Sequence, residues 1–167
     1  MKPLFVLLFF WLWLNQGNSQ HWNSIKQASL GITYDLPQAW YVGGHTNKKA
    51  CDCVGASVNS SPEGALSMMV VVGKEAQDKL LKQAIWGYEF IPTTPAQKKI
   101  QLENITFERS ISTWKQSPKE IVLRFVNQEP INGQTYILYF WGSFEAIQQY
   151  KEVIEKIMTS FKPYQYD

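Results

Sequence analysis

The stretch from Lys119 to Pro163 restricts the fold most tightly, because its apolar period changes from two to about 3.6 within one run of chain. In Ile121-Val122-Leu123-Arg124-Phe125-Val126, alternate residues project to opposite faces, so Ile121, Leu123 and Phe125 share one face of a predicted strand. Tyr136 to Trp141 is apolar on both faces, which predicts a central strand with something packed on each side. Between them, Asn132-Gly133 tolerates positive φ at both positions and predicts a hairpin turn. Ser143 then offers an N-cap, with Glu145 in the first turn where the helix dipole favours negative charge. Phe144, Ile147, Tyr150, Ile154, Ile157 and Phe161 recur at steps of three or four, predicting one amphipathic helix over 143–161 with that stripe in the core. Glu152 and Lys156 stand at the i, i+4 spacing on its outer face, and Pro163 closes the element.

The N-terminus has the plan of a secretory signal peptide: Lys2, an apolar run from Leu4 to Leu14, then a polar stretch with Gly17 and Ser19 at −3 and −1 of a cut before Gln20. That run is too short for a transmembrane helix, which needs about 20 apolar residues. The expected organisation is a signal peptide at 1–19 and one exported domain at 20–167, periplasmic or secreted, with no membrane span in the mature form. The whole chain carries a formal charge of +2, and losing Lys2 reduces it. So weak a balance argues against a nucleic-acid partner, which calls for a concentrated basic face.

Along the mature chain, Leu30 to Leu36 reads as a loosely alternating strand ending at Pro37, and Leu36-Pro37-Gln38-Ala39-Trp40 as a turn before a large aromatic. Gly43 to Lys49 has loop composition, Ala50 to Val58 reads as a strand of small residues, and Ala65 to Val72 as a central strand. Leu80, Leu81, Ala84, Ile85 and Tyr88 form the inner face of a predicted helix near 74–87. Ile91 to Pro95 reads as an extended loop; Lys99 to Glu108 and Ser110 to Trp114 read as two further strands. Hairpin-length connections favour an antiparallel sheet of about six strands, and helices in two places favour an α+β layer structure.

Three stretches, "ITYDLPQAW", "GALSMMVVVGKEAQDKLL" and "YILYFWGSFEAIQQYKEVIEKIMTSFKP", make the chain from Gly31 to Pro163 resemble the PsbP-like superfamily. That group includes photosystem II accessory proteins and exported or lipid-anchored bacterial relatives. The resemblance rests on a Pro-x-x-Trp turn and a final helix ending in Ser160-Phe161. It implies an α/β/α sandwich around an antiparallel sheet, binding or assembly roles, and no shared catalytic residues.

Cys51-Asp52-Cys53 is the one unusual local motif. In a strand the two sulfurs project from one face with their Cα atoms about 6.6 Å apart, so a disulfide between them requires a bulge or turn. His45 lies six residues before Cys51. Three readings stay open: a local disulfide, two free thiols, or a site in which Cys51, Cys53 and His45 hold zinc or copper. Ser112-Thr113-Trp114-Lys115 matches Ser-x-x-Lys, yet the stretch reads as strand, which separates serine from lysine, and the companion elements are missing. No metalloprotease helix, nucleophile elbow or phosphate loop is present. Trp22, Trp86 and Trp114 sit beside polar residues and are candidate ligand-surface aromatics, although partly buried core edge is their ordinary role. Asn59-Ser60-Ser61 and Asn104-Ile105-Thr106 fit the glycosylation pattern.

Full fold signals with few chemical ones predict a non-catalytic binding or assembly module without a cofactor, acting on an envelope or extracellular protein partner. The alternative is a small metal-handling protein using the Cys-x-Cys site.

Overall fold

The computed structural model describes residues 21–45, 55–74, 90–92, 98–115 and 117–164. Within them run strands β1 (Trp22–Gln27), β2 (Ile32–Pro37), β3 (Tyr41–His45), β4 (Gly55–Ser60), β5 (Leu66–Gly73), β6 (Phe90–Pro92), β7 (Lys98–Leu102), β8 (Ile105–Trp114), β9 (Glu120–Asn127) and β10 (Thr135–Ser143). Helices α1 (Phe144–Gln149) and α2 (Lys151–Ser160) follow, and β11 (Lys162–Pro163) ends the described chain. The fold is α+β.

An antiparallel sheet of eight strands runs β3-β4-β5-β10-β9-β8-β6, and β7 shares the outer edge of β8 with β6. The antiparallel sheet expected from the short connections is present; within it β3 runs on through Gly43-Gly44 to His45, and Ile91-Pro92, read as loop, pairs with β8 as β6. Two apolar-on-both-faces segments, β5 and β10, lie side by side at its centre, as their composition predicts. The β9–β10 connection turns at Asn132-Gly133 with φ of 55° and 71°, conformations that these two residues adopt at low cost.

A second, three-stranded sheet, β1-β2-β11, was not foreseen. It forms because the chain after α2 returns along β2, with Lys162 opposite Thr33 and Pro163 opposite Ile32. Ser160 clamps this return: its hydroxyl accepts from the Asp35 backbone N–H at 2.9 Å and donates to the Ile157 carbonyl at 3.0 Å. Phe161 beside it is buried edge-on against Phe107 and Tyr136. The Ser160-Phe161 pair and the Pro37–Trp40 turn, closed by a bond from the Trp40 N–H to the Pro37 carbonyl, are thus the joints between layers.

One core lies between the helices, the small sheet and one face of the large sheet, and includes Ile32, Tyr34, Leu36, Met68, Val70, Leu138, Phe140 and Ile157. Each such side chain contributes about 1.5–3 kcal/mol by leaving water. A separate cluster on the opposite face joins Met69, Val71, Val122, Val126, Ile137 and Tyr139. The helix expected near 74–87, and with it the second helical layer of a sandwich, falls outside the described residues beyond Lys74.

Three boundaries depart from their expectations. The helix predicted over 143–161 is two helices, divided at Tyr150, whose ring packs edge-on to Trp40 and whose hydroxyl meets Glu63 at 3.0 Å. Phe144, predicted to be core, is 56% exposed because it opens the helix at the outer end of the stripe. The break expected between Glu108 and Ser110 sits instead at Glu103-Asn104, where Glu103 adopts φ of 49° and turns β7 into β8. β8 therefore runs unbroken through Arg109.

Candidate functional site

Rows of cross-strand neighbours define the helix-covered face of the large sheet. Val70, Leu138, Phe125 and Arg109 align across β5, β10, β9 and β8; the adjacent row is Met68, Phe140, Leu123 and Ile111. Burial falls along each row toward β8: Val70, Leu138 and Phe125 are buried, whereas Arg109 and Ile111 are only half-buried. The cause is a mismatch of width. α1 packs on β10 and β9, and α2 on β2, so β8 and β7 extend beyond the helical layer.

A cleft of about 750 Å³ fills the step between helices and outer strands. Its floor is Ile100, Leu102, Ile111, Ile121, Leu123 and Phe125, and its wall carries Phe144, Ile147, Ile154 and Met158. Ten of the sixteen lining residues are thus apolar, and the volume lies within the range of small-molecule sites, about 300–1,000 Å³. The remaining six are Lys99, Arg109, Gln148, Lys151, Glu155 and Thr159. Lys151 and Glu155 approach to 3.9 Å on the surface of α2, a solvated pair that contributes little.

The first turn of α1 borders this cleft and is fixed locally. The Ser143 hydroxyl accepts from the Ala146 N–H at 3.1 Å, capping the helix as expected. Its own backbone N–H and the same hydroxyl hold the Glu145 carboxyl below its ordinary pKa. Lys156 lies over the Trp22 ring at 4.2 Å, so its ammonium is turned away from the cleft toward β1.

The residues singled out in the sequence scatter. His45 ends β3, paired through its backbone with Ala56, and Cys51 and Cys53 belong to the β3–β4 connection outside the described residues. Among the described residues no group of three or more His, Cys, Asp or Glu side chains could hold a metal. Trp22 packs at the margin of the helix-side core, while Trp114 stacks edge-on with Trp141 at 6.4 Å on the opposite face; Trp86 lies outside the described residues. Ser112 is buried in β8 and Lys115 is exposed beyond its end, so Ser-x-x-Lys forms no helical turn. The Asn59 sequon is closed by burial, whereas Asn104 is exposed in its turn.

The cleft itself escaped the sequence reading. Its signal was Phe107-x-Arg109-x-Ile111, a cation in an otherwise apolar register, hidden by the strand break placed at residue 109.

No protein-family model matches the chain, and no curated protein matches it in sequence. Its architecture is that of the PsbP-like fold. The solution structure of cyanobacterial PsbP from Synechocystis sp. PCC 6803 superposes with a TM-score of 0.59 at 11% identity, covering 90% of this chain and 96% of that one. LpqN, involved in cell envelope biogenesis of Mycobacterium tuberculosis, gives 0.52 at 9% identity over 85% and 90%. The Saccharomyces cerevisiae Ran-binding protein Mog1p gives 0.52 at 8% over 87% and 96%. At such identities these likenesses establish the fold.

Proposed function

We propose that this chain is a non-catalytic binding module of the cell envelope or extracellular space, and that the cleft between α1–α2 and β7–β9 is its binding site. The observation that carries this reading is the apolar cleft, where Ile100, Leu102, Ile111 and Ile121 stay half-buried above the buried Leu123 and Phe125, beside a wall whose outer end is the exposed Phe144. A concave, mainly apolar cleft with a few polar groups at its border is the usual form of a small-ligand site. Two similar folds are described by what they bind or help assemble, Ran for Mog1p and the envelope for LpqN, which supports a binding role. The signal-peptide pattern of residues 1–19 supports the exported setting.

A photo-reactive benzoylphenylalanine replacing Phe144 tests this in cells producing the chain. A discrete adduct is expected from position 144, lost when Ile111→Trp fills the cleft, and none from the same label at Tyr41 on the far sheet edge. Equal labelling from both positions, or an adduct indifferent to Ile111→Trp, would contradict the reading.

A further inference from the structure

Resting on that reading of the cleft, we propose that its ligand is a single-chain anionic amphiphile, a free fatty acid, whose carboxylate meets Arg109 while its chain lies along β9. Three cationic residues, Lys99, Arg109 and Lys151, line the cleft against one anionic residue, Glu155. Arg109 differs from the two lysines in position. It stands on the floor itself, in register with the buried Phe125, half-buried and without an ion pair among the described residues. A guanidinium beside apolar surface is the group best suited to a carboxylate, because its planar fork donates two parallel hydrogen bonds. Its ordinary alternative is to lay its stem over the isoleucines and send its charge to water; the two roles differ in what the residue does to ligand charge preference.

Length agrees with charge. Ile121, Leu123 and Phe125 occupy alternate positions of β9 and span about 13 Å. Half of a bilayer's hydrocarbon core, the reach of one acyl chain, is about 15 Å. The half-buried Ile111 and Ile121 open this row to the cleft, and its length is comparable with one acyl chain, for which laurate is the probe.

Calorimetric titration of the mature chain with laurate and with dodecan-1-ol, equal in chain and different in charge, tests the assignment. Laurate is expected to bind at least about tenfold more tightly than the alcohol. Arg109→Gln should remove that preference by weakening laurate alone, and Arg109→Lys, which keeps the charge without the fork, should retain only part of it. Ile111→Trp should abolish binding of both. Equal affinities, or a laurate affinity unchanged in Arg109→Gln, would overturn the anion assignment while loss of binding in Ile111→Trp kept the cleft as the site. Binding of neither compound, binding that survives Ile111→Trp, or binding only to vesicles of a two-chain anionic phospholipid would overturn it too, the first two together with the cleft.

Discussion

The side-chain amide of Asn59 donates to the Tyr34 hydroxyl across 2.9 Å, and both residues are fully buried. The bond fastens β4 of the large sheet to β2 of the small one, through the core that the helices cover. Asn59 Oδ1 lacks a hydrogen-bond partner among the described residues, so the amide depends heavily on this contact. Tyr34→Phe leaves it stranded and is expected to cost about 1–3 kcal/mol. Urea unfolding should show a lower midpoint at unchanged slope; an unchanged midpoint would mean that the bond does not join the sheets energetically.

Gly142 lies where β10 passes the chain before β5, and a Cβ there would collide with the Ala65 carbonyl oxygen and crowd Ala146. The obstacle is backbone, which cannot step aside as a flexible side chain would. Gly142→Ala should therefore destabilise by about 1–3 kcal/mol, the usual penalty of overpacking. Thermal unfolding is the check, with the exposed Ser143→Ala, which removes a cap worth about 1 kcal/mol, as the milder comparison.

Burial pushes the Tyr139 hydroxyl well above the ordinary tyrosine range, and the charge of Arg124, its cross-strand neighbour, opposes the shift without cancelling it. Because the folded state holds this proton more tightly, the associated stability is fully present below the ordinary tyrosine pKa, near 10, and is lost as pH rises above it. Tyr139→Phe should accordingly lose less stability than the parent chain between about pH 9 and 12. Parallel decline of the two would show that Tyr139 ionises freely while folded.

The proposed export predicts a local disulfide between Cys51 and Cys53. Intact mass spectrometry should find the mature chain starting at Gln20, short of two hydrogens and closed to alkylation until reduced. Two thiols that alkylate without reduction, with bound zinc or copper removed by a chelator, would instead assign the pair a metal role with His45.

Much of the layer structure was legible because it follows from periods. The apolar runs at β5 and β10, the Asn132-Gly133 turn, the Ser143 cap and the stripe through Ile147, Ile154 and Ile157 are each written in adjacent residues. What was not legible depends on partners remote in sequence. Pairing of Lys162-Pro163 with Ile32-Thr33 is a tertiary event with no local mark. The Tyr150 division coincides with contacts to Trp40 and Glu63, far along the chain. The cleft exists because two layers differ in width, a property of assembly that no motif encodes; only Arg109 within the apolar face of β8 hinted at it.

Methyl-resolved NMR of residues 20–167, titrated separately with laurate and dodecan-1-ol, probes the central claim most directly. The account predicts that either compound shifts the methyls of Ile100, Ile111, Ile121 and Ile154, while Val42 on the far edge and Val71 on the opposite face stay in place. Shifts at Val42 or Val71 with the cleft methyls unmoved, or no shift with either compound, would contradict it.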